Sequence, residues 1–250
     1  ALPISSYGFP VSDSWYVCFD SLGINIPQLY VGRIPAVNND EVIFYLQKHK
    51  SYLERQYDFL NKRVLLFSGG YVERSGEIEQ LREANDEVTN IFNNSRIKPK
   101  VNHFYKTANP LSNFGPYNYE IVKNAIDSGA VYISYLGHSA TQTWDNGINT
   151  TLQLENNFNG NPLMADFGCS TGKFAEPDIK SFGELFVNNI GGQAIAYIGN
   201  SSVGFLSIAT TFPQIFAHYI SDSLSLSIGE LHFLGKMKLF QQQGGFNDVN

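Results

Sequence analysis

Two stretches near the middle of the chain decide the fold: AVYISYLGHSATQTWDNG at residues 130–147 and PLMADFGCSTGKF at residues 162–174. Each opens with a short apolar run of the kind that forms a buried strand. Each run is followed within two residues by a reactive side chain, His138 in the first stretch and Cys169 in the second. Because parallel α/β sheets carry their chemistry at the carboxyl ends of their strands, we expect this imidazole and this thiol to be neighbours.

Similar apolar runs alternate with amphipathic segments along the rest of the chain. This alternation predicts an α/β fold, with a mostly parallel sheet flanked by helices on both faces. Right-handed crossovers would bring the carboxyl ends of the strands to one edge. The predicted strands are Gln28–Ile34, Arg63–Phe67, Val101–Tyr105, Val131–Leu136, Leu163–Phe167 and Ala194–Ile198. The predicted helices are Asp40–Asn61, Gly76–Asn93, Tyr117–Ser128, Ile179–Asn189, Thr211–Ile220 and Gly229–Gln242.

The composition is that of a globular protein, with 43% hydrophobic and 16% charged residues in a chain of 250. The net charge of -6 and the absence of Lys/Arg runs argue against a nucleic-acid partner. No apolar stretch approaches the roughly 20 residues of a membrane-spanning helix. The chain begins with Ala1 and without a signal peptide, so we expect it to be a piece of something longer.

Several common site motifs are absent. Gly199 and Gly204 have the spacing of a phosphate-binding loop, but Phe205 and Leu206 stand where that loop needs Lys and Ser or Thr. No G-x-G-x-x-G opens a helix, and H-E-x-x-H, C-x-x-C and G-x-S-x-G do not occur. A nucleotide-binding function therefore rests on fold class alone and is disfavoured.

The remaining histidines and the other cysteine have simpler interpretations. Cys18 follows Val17 and is interpreted as a small buried side chain. Cys169 is followed by Ser170-Thr171-Gly172, a turn that would expose the sulfur near a helix N-terminus, where the thiolate is favoured. The position of Cys169 in the sequence is compatible with a reactive thiol and with a buried one. The histidines interpreted as solvated or structural are His49, His103, His218 and His232.

These residues resemble the gingipain-like cysteine peptidases, a family that shares the caspase-like fold. VYISYLGHSATQTW at 131–144 is similar to the strand that delivers the catalytic histidine of that family. LMADFGCSTGKF at 163–174 resembles its nucleophile strand. The resemblance covers nearly the whole chain and implies a caspase-like, mostly parallel α/β fold. Further similar segments are Ser12–Tyr16, QLYVGRIP at 28–35, SFGELF at 181–186 and GGQAIAYIGNSS at 191–202.

Carried onto this sequence, the resemblance implies Cys169 as nucleophile and His138 as general base. The oxyanion hole would consist of the backbone N–H groups of Cys169 and Ser139, the latter a position where relatives usually have Gly. Trp144, Asn200 and Ser201 are predicted to wall the cleft by their position.

The acid that orients the histidine is less evident. Relatives place it in the loop after the strand matched here by Val64–Phe67. In this chain the loop opens with Ser68-Gly69-Gly70 and lacks an acid there. Glu73 or Glu77 could take the role only if the loop curls back. Some relatives bind a basic substrate side chain through an acid in the specificity pocket. The sequence does not decide which residue that acid would be here, and the candidates are Glu77, Glu79, Glu176 and Asp178.

The resemblance implies a division into residues 1–61, a remnant of a smaller N-terminal subdomain with its connecting helix, and residues 62–250, a catalytic subdomain clipped at its C-terminus. The implied function is a cysteine endopeptidase that acts on proteins or peptides through a thioester. Alternatives are a sortase-like transpeptidase or signal peptidase of bacterial type IX secretion, with secretion-system partners, and an inactive caspase-fold module.

The resemblance also bears on cofactors and location. It implies no required cofactor. Calcium sites occur in relatives, although no acidic loop of this sequence has a recognisable calcium-binding spacing. It further implies an exported protein, at the bacterial cell surface or outside the cell.

Overall fold

The computed structural model of the chain describes residues 8, 11–19, 26–106, 119–144, 148, 160–188, 194–222 and 226–243. The strands within these residues are β1 (Arg63–Ser68), β2 (Lys100–Tyr105), β3 (Tyr132–Leu136), β4 (Ser139–Ala140), β5 (Thr143–Trp144), β6 (Leu163–Asp166) and β7 (Ala196–Gly199). The helices are α1 (Asn39–Glu54), α2 (Glu77–Asn94), α3 (Tyr119–Asp127), α4 (Phe182–Asn188), α5 (Leu206–Asp222) and α6 (Ile228–Gln243).

A five-stranded parallel sheet, in the order β2-β1-β3-β6-β7, carries the site. Strand β3 lies between β1 and β6, so Tyr135 pairs with Phe67 on one side and with Asp166 on the other. The carboxyl ends of β1, β3 and β6 therefore meet at one edge. This arrangement confirms the predicted α/β fold and the predicted neighbourhood of the two central strands.

Apolar side chains fill the space on both faces of the sheet. Leu66 faces a core formed with α2, α5 and α6, and the next residue, Phe67, faces a core formed with α3 and α4. Side chains alternate between faces along a strand, so a strand covered on both sides must be apolar throughout. That requirement explains why Val64–Phe67 of β1 and most of β3 are apolar on both faces, with Ser134 as a buried exception.

The first predicted helix, Asp40–Asn61, is too long. Helix α1 ends at Glu54, and Arg55 is extended, with its guanidinium donating to the carbonyl of Gly160 at 2.7 Å. The helical spacing of apolar residues extends through Tyr57 in the sequence. Tyr57 is 91% exposed, however, and so is not part of a buried helix face. A separate 3-10 turn follows, in which the side chain of Asp58 accepts from the backbone of Leu60.

The predicted strand Gln28–Ile34 does not form, and most of its residues are exposed on the surface. Leu29 and Tyr30 are both more than half exposed, so the apolar run is not part of the buried sheet. Arg33 instead donates twice to the carboxylate of Asp13, at 2.6 and 2.7 Å. A run of apolar residues thus predicts burial only when a sheet position is available to it.

The helix predicted from Ile179 begins later, at Phe182. Ser181 and Glu184 form the reciprocal hydrogen bonds of a capping box, which stops the helix from extending towards Ile179. The ends of two predicted helices, at Tyr117 and Asn189, lie outside the described residues. The other predicted elements coincide with α2, α5, α6 and the five sheet strands to within a few residues at each end.

Candidate active site

His138 follows β3 after a single glycine. A Cβ on Gly137 would lie 2.6 Å from the hydroxyl oxygen of Tyr135, so the chain can turn this closely only with glycine there. That hydroxyl donates to the backbone carbonyl of His138 at 2.5 Å. The backbone of His138 is therefore held by the strand that precedes it.

The imidazole of His138 is bound by Glu77, the first residue of α2. Both carboxylate oxygens of Glu77 lie near the Nε2 of His138, at 3.0 and 3.1 Å. The loop between β1 and α2 does curl back, with positive φ at Gly70 and Gly76. Of the two acids considered for this role, the structure brings Glu77 to the histidine and leaves Glu73 exposed.

The Glu77 carboxylate also accepts the backbone N–H of Tyr71 at 2.8 Å and the guanidinium of Arg74 at 3.2 Å. Burial alone would raise the pKa of Glu77, but the hydrogen bond from Tyr71, the contact with His138 and the contact with Arg74 lower it overall. An ionised carboxylate only accepts hydrogen bonds, so Nε2 of His138 carries the proton. The neutral imidazole then presents Nδ1 as its basic nitrogen.

Tyr71 covers one face of this imidazole. Its ring stacks on the ring of His138 with centroids 4.3 Å apart and planes 9° apart. The guanidinium of Arg74 and the ammonium of Lys106 lie 5.6 and 5.7 Å from the Tyr71 ring centroid. Nothing in the sequence pattern pointed to Tyr71, because the contact depends on how the loop after β1 folds.

Cys169 lies in the turn that follows β6, and its side chain is half-buried. The backbone N–H of Gly204 approaches its sulfur at 3.4 Å. The preceding residue, Gly168, is held at both ends: its N–H donates to Asp166 at 2.8 Å and its carbonyl accepts from Asn200 at 2.7 Å. The turn that carries the thiol is thus tied to Asp166 in β6, which leads into it, and to Asn200, which follows β7.

Ser139 joins the histidine loop to the cysteine turn. Its hydroxyl donates to the backbone carbonyl of Cys169 at 2.9 Å. A Cβ on Gly168 would lie 2.0 Å from this hydroxyl, so the two loops are in direct contact. The described residues show no hydrogen bond between the sulfur of Cys169 and His138, which is common in enzymes without bound substrate.

A buried carboxylate lies beneath the cysteine turn. Asp166 is 1% exposed and accepts from the indole N–H of Trp144 at 2.5 Å and the hydroxyl of Tyr197 at 3.0 Å. Burial raises the pKa of Asp166 to about 6, although its hydrogen bonds oppose that shift. Sequence reasoning missed this group, since an acid inside an apolar strand shows its partners only after folding.

Of the three predicted cleft-wall residues, Trp144 is wrongly assigned. It is 1% exposed and stacks on Tyr135 with ring centroids 4.7 Å apart, so it belongs to the core rather than to an open cleft. Asn200 and Ser201 are half-buried next to the cysteine turn. The amide of Asn200 supports Gly168, and the hydroxyl of Ser201 donates to the carbonyl of Val11 at 2.8 Å.

A second hydrogen-bonded histidine lies on β2, beside the end of β1. His103 approaches the hydroxyl of Ser68 at 2.8 Å and the carboxylate of Asp86 at 2.9 Å. Ser68 is fully buried, so this arrangement cannot receive a substrate. Burial lowers the pKa of His103, although its hydrogen bond to the carboxylate of Asp86 opposes that shift. The structural interpretation of His103 fits these contacts.

The described residues contain no group of three His, Cys, Asp or Glu side chains that could hold a metal ion. None of the helices in the described part of the chain is long and apolar enough to span a membrane.

Solved structures of gingipain R have a fold similar to that of this chain. The chain matches the crystal structure of the Arg-specific cysteine proteinase gingipain R with a TM-score of 0.75 and 16% identity, over 98% of this chain and 57% of that chain. It matches the complex of Porphyromonas gingivalis RgpB pro- and mature domains with a TM-score of 0.74 and 16% identity, over 96% and 56%. The chain thus spans a little over half the length of these proteins. A comparison with curated proteins finds none that matches.

The sequence itself places the chain in a family. A model of peptidase family C25 matches residues 2–250. The resemblance to gingipain-like peptidases and the expected caspase-like fold are thereby confirmed. Because the match extends over nearly the whole sequence, the chain belongs to peptidase family C25.

Proposed function

We propose that this chain is the catalytic part of a cysteine endopeptidase, with Cys169 as nucleophile and His138 as general base. The observation that carries the proposal is the contact of Glu77 with Nε2 of His138, at 3.0 and 3.1 Å. A buried carboxylate on the far nitrogen fixes the tautomer and orientation that a base needs. His138 also differs from His103, which has a carboxylate partner as well, because the side chain of His138 is 27% exposed whereas that of His103 is 8% exposed.

The proposed reaction begins with transfer of the Cys169 proton to Nδ1 of His138. Glu77 then stabilises the imidazolium through the proton on Nε2. The thiolate attacks the substrate carbonyl, and the imidazolium returns its proton to the leaving amine as the thioester forms. Water, deprotonated by His138, hydrolyses the thioester and restores the thiol.

The oxyanion of each tetrahedral intermediate would be stabilised by the backbone N–H groups of Ser139 and Cys169. Backbone donors need no side chain, so replacement of the usual glycine by Ser139 leaves the donor in place. Support comes from the hydrogen bond that joins these two residues, the hydroxyl of Ser139 to the carbonyl of Cys169 at 2.9 Å. It keeps the two peptide units together.

The solvent access of both groups argues against a relic site. Cys169 is half-buried rather than enclosed, and the side chain of His138 is 27% exposed. A core that had closed over the thiol would favour an inactive module instead. The contact between Glu77 and His138 and the partial exposure of Cys169 together favour catalysis.

Alkylation with iodoacetamide followed by mass spectrometry of the intact protein tests the nucleophile. We expect labelling at Cys169, loss of peptidase activity in step with labelling, and no activity in C169A or H138A. The C18S variant is the matched control, since Cys18 bonds to the carbonyl of Ser14 rather than to the site. Labelling at Cys18 alone, or full activity of C169A, would refute the proposal.

The same thioester could be resolved by an amine in place of water, which would make the protein a sortase-like transpeptidase. Product analysis with an added amine nucleophile separates the two reactions. We expect hydrolysis products to dominate. Predominant amide products would instead support the transpeptidase and, with it, partners of type IX secretion.

We also propose a protein or peptide substrate, export from the cell and the division of the chain at residue 61. Family membership supports a protein or peptide substrate. Export to the bacterial surface and the division at residue 61 rest on the family resemblance. Fractionation of the producing cell with an antibody to this chain tests the location.

A further inference from the structure

We propose that the residue whose carbonyl Cys169 attacks carries a large apolar side chain, and that Tyr71, Val203 and Phe205, here called the apolar rim, receive it. This inference rests on the proposed peptidase function and names the substrate class of the same site.

The first observation concerns the segment beside the nucleophile. The N–H of Gly204 lies 3.4 Å from the sulfur of Cys169. Its two neighbours, Val203 and Phe205, are large apolar residues that are 69% and 58% exposed. Adjacent Cα atoms are about 3.8 Å apart, so both residues are within one residue length of the group that contacts the sulfur. We infer that the side chain next to the attacked carbonyl passes close to this segment.

Gly204 is also rigidly placed, so the two apolar neighbours have a fixed position. A Cβ on Gly204 would lie 2.8 Å from the amide nitrogen of Asn200 and 3.2 Å from the carbonyl of Gly168. The same amide of Asn200 bonds to that carbonyl at 2.7 Å. The segment is therefore packed against the turn that carries Cys169.

The second observation concerns the base. Tyr71 stacks on the imidazole of His138 with ring centroids 4.3 Å apart, yet its side chain remains 39% exposed. An aromatic ring therefore adjoins the base, while the residue that contacts the nucleophile lies between two exposed apolar residues. Two separate loops supply these groups, so the apolar character of the rim does not come from one run of sequence.

The charges nearby disfavour a basic substrate side chain. A guanidinium or ammonium group needs a carboxylate that is not already neutralised. Glu77 is bound to His138 and Arg74, and Glu176 forms an ion pair with Lys173 at 2.6 Å. Asp166 is 1% exposed beneath the site.

Two cations lie beside the rim. Arg74 and Lys106 lie 5.6 and 5.7 Å from the ring centroid of Tyr71. A basic side chain that entered the rim would meet like charge and lose hydration without a partner. An apolar side chain loses only contact with water, which favours its transfer to the rim.

The test uses fluorogenic peptides that differ only in the residue before the cleaved bond, which is Phe, Leu, Arg, Lys or Asp. We expect kcat/KM for Phe and Leu to exceed that for Arg and Lys by about 10-fold or more, the size of discrimination that apolar contacts supply. The V203S/F205S double variant should lose at least about 10-fold in kcat/KM for Phe and Leu. Its Cys169 should still react with iodoacetamide at the wild-type rate.

V37S is the matched control, because Val37 is equally exposed at 67% but precedes α1. It should leave every kcat/KM unchanged. Preferential cleavage after Arg, Lys or Asp, or an unchanged preference in V203S/F205S, overturns the inference and leaves the peptidase proposal standing. Absence of cleavage of any peptide by protein whose Cys169 is reduced overturns both.

Discussion

Glu77 joins two residues of one loop to the base, since its carboxylate binds Tyr71, Arg74 and His138. Its role rests on being ionised. The pKa of Glu77 lies below its usual value, so its contribution to folding stability is complete above that usual value, about 4.5, and is lost as the pH falls through the lower folded value. The orientation of His138 is thus maintained across the neutral range.

The E77Q variant keeps the shape of this side chain and removes its charge. An amide can offer N–H to the imidazole and so favour the wrong tautomer, and it cannot stabilise the imidazolium. We expect kcat/KM to fall by about 100-fold, the lower range for loss of general-base function. Peptide hydrolysis measured from pH 5 to 9 checks this. E73Q is the control, and an E77Q variant within threefold of wild type would contradict the assignment.

Ser139 is the residue at which this chain departs from the glycine usual in relatives. Its hydroxyl bonds to the carbonyl of Cys169 at 2.9 Å. Loss of one such hydrogen bond costs about 1 kcal/mol, so S139A should reduce kcat by about 5-fold with little change in KM. S201A removes a hydroxyl that bonds to Val11 instead, and it should leave kcat unchanged. Equal kcat values for the two variants would show that the Ser139 hydroxyl has no positioning role.

At the scale of the elements, α1 is connected to α4 by a buried lysine. The ammonium of Lys48 donates to the carbonyls of Val187 and Ala194, near the end of α4 and just before β7. Burial lowers the pKa of Lys48 to about 8. The lysine therefore satisfies the carbonyl of Val187, which the end of α4 leaves without a helical partner, and that of Ala194 before β7.

Replacing Lys48 with methionine keeps the length of the side chain but leaves those two carbonyls buried without a donor. We expect K48M to lower the free energy of unfolding by about 2 kcal/mol. Urea unfolding followed by circular dichroism measures it. K50M is the control on the same helix, because the side chain of Lys50 is 75% exposed. A K48M protein as stable as K50M would be the contrary result.

The sequence predicts elements well where an apolar run is also buried. β1 and β3 were predicted because both of their faces are covered, so nearly all of their central residues are apolar. QLYVGRI is also rich in apolar residues, but it lies on the surface and outside the sheet. Tyr71 and Asp166 could not be predicted as site components, because their partners come from distant parts of the chain. Local patterns carry no information about such contacts.

At the scale of the whole molecule, Asp166 makes stability depend on pH. Its pKa is raised to about 6 by burial, compared with 3.8 in an unfolded chain. The contribution of Asp166 is therefore complete below pH 3.8 and is lost as the pH rises through 6. A difference of that size corresponds to about 3 kcal/mol.

Residue 166 does not titrate in the D166N variant. A comparison with wild type therefore separates the contribution of Asp166 from those of other groups. We expect the stability of wild type relative to D166N to fall by up to about 3 kcal/mol between pH 4 and pH 7. Urea unfolding of both proteins at each pH measures the difference. A constant difference over that range would mean that Asp166 is ionised throughout.

The fold is preserved although few residues are shared with its structural neighbours. A TM-score of 0.75 at 16% identity shows that the sheet and its helices tolerate extensive replacement. Mutually compatible apolar side chains of similar volume suffice for this. The division at residue 61 stays a prediction.

The burial of Trp144 has a spectroscopic consequence. The chain has two tryptophans, of which Trp15 is 54% exposed and Trp144 is 1% exposed beneath the cysteine turn. Iodide should therefore quench the emission of Trp15 and spare that of Trp144. With W15F, the remaining fluorescence arises from an indole hydrogen-bonded to Asp166, two residues from Gly168. Protonation of that carboxylate, or a substrate that shifts the turn, would then change the emission of a single indicator already built into the protein.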